Sequence, residues 1–282
     1  MFFNLTWTYR LDSDAVFPYI VIKNDRDEII GPKLDMHWID IKDMNSTSEY
    51  VKNKLQKKRL AAVWFVSNCE ASERLEFVGE LQKELARYDH RVDVFGNCGD
   101  RFCPTENMDS FDECYALVES FYYFYLAFEN SFCEDYVTEK ILTGLEHFSV
   151  PVVFGGANYT RFMPEGTFLR AHTLGPAKLA RTMVDIINDR NRYQDFFRWH
   201  GYYSFHHTAE NNYLHEICAL CTMLNNETLV KKKKVYNTNV WWNEWYSGPP
   251  PDDGRIHLLL DNDKPKPGIA GLVSNIYNYV FE

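Results

Sequence analysis

The sequence predicts an α/β protein whose central sheet is parallel. Three observations support this. Strand-like apolar runs alternate with helical periods from residue 60 onward, the runs are apolar at consecutive positions, and glycines follow two of them. Consecutive apolar residues are typical of strands buried on both faces, as in a parallel sheet covered by helices. Strand–helix repeats of this length also imply that the connections between parallel strands are right-handed crossovers.

Residues 1–57 precede the alternation and are mixed and polar, so we predict no helix there. Beyond them, residues 73–88 carry leucines and valine at helical spacing, and Pro176 is suited to a helix start. The predicted elements are strands at 60–67, 91–95, 121–128, 150–154 and 167–171, helices at 73–88, 135–147 and 176–199, and a cysteine-rich loop at 97–114.

The net charge of −10 argues against nucleic acid or an anionic membrane surface as the main partner. The chain contains neither the glycine pattern of dinucleotide-binding enzymes nor that of P-loop ATPases. Two large classes of nucleotide-binding enzyme are therefore disfavoured.

Seven cysteines and four glycosylation sequons favour the lumen of the secretory pathway. The odd count leaves at least one cysteine free or paired outside the chain. The asparagines of the sequons, which are candidate glycosylation sites, are Asn4, Asn45, Asn158 and Asn226. No secretory signal precedes them, and the longest apolar run, 121–128, is far shorter than the roughly 20 residues of a membrane helix. We therefore expect an N-terminally truncated sequence.

Several polar residues follow the predicted strand at 121–128. Asp135 is a good N-cap, and a helix beginning there would place Tyr136, Glu139 and Lys140 on roughly one face. A carboxylate, a phenol and a lysine near a helix start, at the carboxyl end of a parallel strand, suit a nucleotide sugar. The alternative is a surface cap with an ordinary ion pair.

The segment 128–140, Phe-Glu-Asn-Ser-x3-Asp-Tyr-Val-Thr-Glu-Lys, resembles the donor-binding signature of the α1,3-fucosyltransferase family. The segments 3–14, 63–69, 92–96 and 151–153 are similar to other parts of that family, so the resemblance covers about residues 1–245. The cysteine-rich middle looks like that of the invertebrate and plant enzymes that act on the N-glycan core.

The resemblance implies a GT-B glycosyltransferase with two Rossmann-like halves and the active site between them. It implies transfer of fucose from GDP-fucose, with inversion, to O3 of an N-acetylglucosamine on an N-glycan or N-acetyllactosamine acceptor. It also implies a type II membrane protein of the Golgi when full length. We expect residues 1–57 to be the hinge and a remnant of the acceptor half, 58–230 the donor domain, and 231–282 a Trp- and Pro-containing tail.

By the same resemblance, Lys140 and Arg74 would neutralise the diphosphate, and Glu139 would contact the sugar portion of the donor. The other donor-binding positions that it implies are Tyr9, Arg10, Glu129, Asn130 and Tyr136. The family's base, a glutamate, precedes the segment matched at 3–14, so we expect it upstream of residue 1. A metal is not expected to be obligatory, and a divalent ion would at most stimulate the reaction.

Two other functions stay open. The first is a non-catalytic truncated relative that binds only a nucleotide or a glycan. The second is a transferase that uses a UDP-sugar, because Asp261-Asn262-Asp263 has the shape of a metal-binding DxD motif. That motif lies in the Pro-rich tail, where a chance match is the better explanation.

Overall fold

The computed structural model of the chain describes residues 2–3, 5–103, 112–211, 213–228 and 236–237. Its strands are β1 (Phe2–Phe3), β2 (Trp7–Thr8), β3 (Ala15–Val16), β4 (Ile20–Asn24), β5 (Ile29–Gly31), β6 (Leu60–Phe65), β7 (Val92–Phe95), β8 (Tyr122–Phe128), β9 (Val150–Phe154), β10 (Leu169–Arg170), β11 (Tyr203–His207) and β12 (Tyr236–Asn237). Its α-helices are α1 (Glu49–Leu55), α2 (Ser72–Ala86), α3 (Asp112–Phe121), α4 (Lys140–Glu146), α5 (Ala171–Asn188), α6 (Arg190–Asp195) and α7 (Leu214–Leu224). Short 3₁₀ helices span Ile41–Asp43, Tyr159–Arg161 and Thr208–Asn211.

The predicted α/β class with a parallel sheet is confirmed. Five strands form one sheet in the order β10-β9-β8-β6-β7, and every neighbouring pair in it is parallel. Along β8, Phe124, Leu126 and Phe128 pack into a core shared with α2 and α5. Tyr125 and Ala127, the alternate residues, pack into a second core shared with α3 and α4. Burial of both faces explains why the strand sequences are apolar at consecutive positions.

A second, antiparallel sheet joins distant parts of the chain. It has the order β11-β4-β5, with Ile22 opposite Phe205. Residues 20–24 thus share a sheet with residues 203–207. This pairing connects the segment before residue 57 to the segment that follows the parallel sheet, and their assignment to separate domains remains a prediction.

Two predicted helices have different bounds in the structure, and the expectation of no helix before residue 57 was wrong. The helix predicted at 135–147 begins only at Lys140, because Asp135 has a positive φ of 56° and its side chain bonds elsewhere. The helix predicted at 176–199 begins at Ala171 with a kink at Gly175, and it ends at Asn188 before a second helix. The segment before residue 57 contains α1, which the Ser48 hydroxyl caps by accepting a hydrogen bond from the Val51 N–H.

In the described part of the chain, each helix is too short or too polar to cross a bilayer.

His200 lies among aromatic rings, and this placement predicts a loss of stability in acid. Its ring stacks on Trp199 at 3.8 Å and on Phe148 at 5.1 Å between centroids. Burial lowers the pKa of His200 from 6.5 to about 4. As the pH falls, His200 of the unfolded chain takes up a proton before that of the folded chain, and this uptake favours unfolding. The effect on the free energy of unfolding is therefore small above pH 6.5 and grows as the pH falls towards 4.

We expect the free energy of unfolding to fall by about 2 kcal/mol between pH 7 and pH 5 through this group. Urea titrations of the wild type and of His200→Phe at both pH values measure the effect. The phenylalanine variant should lose about 2 kcal/mol less than the wild type over this interval. An equal loss in both proteins would contradict the assignment.

Candidate functional site

The order of the parallel strands creates a switch point between β6 and β8. From β6 the chain first adds β7 on one side, and then β8, β9 and β10 on the other. Loops leave such a point in opposite directions and open a crevice at the carboxyl ends of the strands, where ligands bind in open α/β sheets. Residues 66–71 and 129–139 are the loops that leave β6 and β8 here.

An ion pair lies at the end of β8. The Glu129 side chain is fully buried, and its carboxylate accepts hydrogen bonds from the Thr138 N–H at 2.8 Å and the Thr138 hydroxyl at 2.9 Å. The Lys140 ammonium lies 3.2 Å from the same carboxylate, 2.6 Å from the Thr138 hydroxyl and 3.4 Å from Glu139. Both carboxylates therefore contact one cation.

The environments of these three groups differ. Burial raises the pKa of Glu129, and the charge of Lys140 and the Thr138 donors oppose that rise. Burial alone would lower the pKa of Lys140, but attraction to Glu129 and Glu139 raises it overall. Lys140 is therefore a cation at neutral pH. Glu139 is the most exposed of the three, with 47% of its side chain accessible.

Three tyrosines from separate parts of the chain meet beside this pair. Ring centroids of Tyr9 and Tyr136 are 5.2 Å apart, those of Tyr19 and Tyr136 are 5.9 Å apart, and those of Tyr9 and Tyr19 are 6.2 Å apart. Burial is the main cause that raises the pKa of all three phenols. They consequently remain protonated and able to donate hydrogen bonds.

Arg74 occupies the switch point itself but is only 3% exposed. Its guanidinium donates to the Phe128 carbonyl at 3.0 Å and to the Asn68 carbonyl at 2.7 Å. It thus ties the end of β8 to the loop after β6. Burial lowers its pKa, while Glu129 and Tyr136 oppose that change.

The remaining predicted donor-binding residues lie at the edge of this group. Asn130 is exposed directly after Glu129. Arg10 makes a bidentate pair with Asp12, at 2.9 and 2.8 Å. The structure therefore brings Tyr9, Tyr136, Glu139 and Lys140 together, while Glu129 and Arg74 lie buried behind them.

Residue spacing did not identify several members of the site. Tyr19 immediately precedes β4, and nothing in its local sequence marks it as a site residue. Thr138 was only part of the matched signature. Asp135 was predicted as a helix cap. Instead its carboxylate accepts from the Leu11 N–H at 3.1 Å and from Arg161 at 2.7 Å.

Two disulfides support the predicted oxidised state of the cysteines. Cys69 pairs with Cys98, and Cys103 pairs with Cys114. Cys218 and Cys221 are exposed thiols on α7.

Of the predicted glycosylation sites, Asn45, Asn158 and Asn226 are exposed. Asn4, the DxD-like Asp261-Asn262-Asp263 and most of the predicted tail lie outside the described residues. In the part of the chain that the structure covers, no group of three or more His, Cys, Asp or Glu residues is placed to hold a metal ion.

Comparison with known proteins agrees with the family resemblance. The family model described as glycosyltransferase family 10 (fucosyltransferase), C-terminal part, matches residues 55–247. α-(1,3)-Fucosyltransferase C of Drosophila melanogaster is 33% identical over 244 residues, covering 86% of this chain and 54% of the relative. Glycoprotein 3-α-L-fucosyltransferase A of the same species is 32% identical, covering 87% of this chain and 43% of the relative.

A crystal structure of an α1,3-fucosyltransferase with GDP-fucose is also similar, with a TM-score of 0.45 and 22% identity, covering 60% of this chain and 48% of that one. The chain spans about half the length of the curated relatives it matches. With a family model that matches most of its length, the chain belongs to glycosyltransferase family 10, the fucosyltransferases.

Proposed function

We propose that this chain binds GDP-fucose at the switch point, as the donor-binding part of an α1,3-fucosyltransferase. The observation that carries the proposal is the Lys140 ammonium at the carboxyl edge of the parallel sheet, close enough to the cluster of Tyr9, Tyr19 and Tyr136 for its charge to act on the Tyr19 phenol. A cation and phenolic donors suit a diphosphate, and an exposed carboxylate such as Glu139 suits sugar hydroxyls. Membership of the fucosyltransferase family supports the nature of the donor.

Donor binding would rearrange the contacts of Lys140. Its contact with Glu139 is the longest of the three and the most exposed. A diphosphate oxygen can replace Glu139 there, which frees that carboxylate to accept a hydrogen bond from a donor hydroxyl. Glu129 would keep its contact with Lys140 and hold the ammonium in place, and so act as a positioning residue.

The proposed reaction is an inverting transfer. The oxygen at position 3 of an N-acetylglucosamine forms a bond to C1 of fucose while the bond from C1 to the β-phosphate oxygen of GDP breaks. A base takes the acceptor's proton, and Lys140 stabilises the negative charge that develops on the diphosphate. No carboxylate of the described residues is assigned as that base.

We further propose that the chain works in the Golgi lumen on N-glycan or N-acetyllactosamine acceptors of glycoproteins, as part of a membrane-anchored type II protein. The two disulfides and the exposed sequon asparagines favour an oxidising lumen. The proposed donor site needs no obligatory metal, because Lys140 supplies the positive charge.

A calorimetric titration of the purified chain with GDP tests the donor assignment. We expect saturable binding of GDP and much weaker binding of UDP. Absence of saturable GDP binding would overturn the proposal.

A second assay distinguishes the non-catalytic alternative. Transfer of fucose from GDP-fucose to an N-glycan acceptor by these 282 residues would exclude it. Saturable GDP binding without transfer would favour the alternative.

A further inference from the structure

We infer that Asp135 and Arg161 are positioning residues that hold the turn carrying Tyr9 and Arg10 against the donor-binding loop. The inference rests on the proposed function, because it assigns these residues to the same donor site. It adds two residues that act through others and do not contact the donor themselves.

The first step is the link between the two segments. The Asp135 side chain is 1% exposed and lies in the loop between β8 and α4. One carboxylate oxygen accepts from the Leu11 N–H at 3.1 Å, a contact between residues 124 positions apart. Leu11 itself is buried in the core beside α4. Through this bond the loop fixes the backbone immediately after Tyr9 and Arg10.

The second step is the group that fixes Asp135. Arg161 donates from one nitrogen to Asp135 at 2.7 Å and to Glu134 at 2.6 Å. Arg161 belongs to the 3₁₀ helix after β9. The bonds of Asp135 therefore join this helix, the loop between β8 and α4, and the turn at Leu11. A buried carboxylate that accepts from a backbone N–H and a guanidinium is held in one orientation, since loss of either donor leaves it incompletely paired.

The third step is the turn itself. Its own bonds make it a rigid unit: the Ser13 N–H donates to the Arg10 carbonyl at 3.1 Å, and the hydroxyls of Thr8 and Ser13 are 2.7 Å apart. A rigid turn held at Leu11 transmits the position of Asp135 to Tyr9, whose ring contacts Tyr136. Asp135 also adopts a positive φ of 56°, which is incompatible with a helix start at this position and is consistent with its bonds to Leu11 and Arg161.

Binding of GDP to the wild type and three variants tests the inference by a double-mutant cycle. Arg161→Ala should weaken GDP binding about tenfold in the wild-type background. In a background where Tyr9 and Arg10 are both alanine, the same change should weaken binding less than about twofold, because the residues through which it acts are gone. Arg161→Lys, which keeps a cation beside Asp135, should recover part of the lost affinity.

The control is Arg198→Ala, which removes an arginine paired with Asp195, the last residue of α6, and should leave GDP binding unchanged. Thermal unfolding verifies that each variant is folded. If Arg161→Ala does not fold, Arg161→Gln, which retains hydrogen-bond donors, replaces it in the same cycle.

An equal loss of affinity in both backgrounds, or no loss in the first, would overturn the inference while leaving GDP binding by the wild type intact. Failure of the wild type to bind GDP would instead overturn the proposed function.

Discussion

The variant Lys140→Met should bind GDP about a hundredfold more weakly than the wild type. Hydrogen bonds between charged groups contribute about 1.5–3 kcal/mol, and a factor of one hundred corresponds to about 2.7 kcal/mol. Lys140 is paired with the exposed Glu139 at the crevice and with the buried Glu129. Methionine has a similar length and no charge, so the change removes the charge with little change in packing.

The same variant should also respond differently to pH. Without Lys140, the Glu129 carboxylate loses the largest of the interactions that oppose the effect of burial, and its pKa, already raised by burial, should rise further. A carboxyl whose folded pKa exceeds its unfolded value of 4.5 stabilises the fold below 4.5, and this contribution is lost as the pH rises through the folded pKa. The gap in the free energy of unfolding between the wild type and Lys140→Met should therefore widen as the pH rises from 4 to 8, which urea titrations of both proteins at each pH measure.

Lys52→Met is the matched control. Lys52 pairs with Glu49 on α1, at the protein surface. Its replacement should change stability by less than about 0.5 kcal/mol and leave GDP affinity unchanged. GDP binding to Lys140→Met with wild-type affinity would show that this lysine does not contact the diphosphate.

The strands of the parallel sheet were predictable because their signal is local. The predicted strand at 150–154 coincides with β9, and that at 121–128 differs from β8 by one residue. Both runs are apolar at consecutive positions, and the sheet buries them on both faces. Burial between two layers of helices leaves no exposed face, so a short continuous apolar run followed by a turn residue is the signal of such strands.

The loop from 129 to 139 shows what the sequence could not predict. Asp135 has the chemistry of an N-cap, and local rules place a helix start there. Its actual partners are Leu11 and Arg161, which are distant in sequence. Tertiary hydrogen bonds of this kind override local preference, and nothing in the spacing of a single sequence reveals them. The helix consequently starts five residues later.

The site was predictable where its members are close in sequence or belong to the matched signature. Tyr136, Glu139 and Lys140 lie within five positions, so their proximity did not depend on a correct helix assignment. The burial of Glu129 and Arg74 was not predictable. In the structure the Glu129 carboxylate and the two terminal nitrogens of Arg74 bond to other parts of the chain, and contact of either residue with the donor stays a prediction.

Loss of the disulfide between Cys69 and Cys98 should lower the free energy of unfolding by about 3 kcal/mol. The bond closes a loop of 29 residues, and an intact crosslink of this length restricts the unfolded chain by about that amount. Denaturant titration of Cys69→Ala/Cys98→Ala measures the loss. Cys218→Ala/Cys221→Ala is the control, because both residues are exposed thiols, and its stability should match that of the wild type.

Cys69→Ala/Cys98→Ala should also bind GDP less tightly than the wild type, although neither cysteine is expected to contact the donor. Cys69 follows Asn68, whose carbonyl accepts a hydrogen bond from Arg74, and Arg74 also holds the Phe128 carbonyl at the end of β8. Without the disulfide the loop after β6 gains freedom, and Arg74 loses a fixed acceptor. Because Arg74 joins the two loops that border the crevice, we expect a several-fold loss of GDP affinity together with the loss of stability. A destabilised variant that retains full affinity would show that the disulfide supports the fold but not the site.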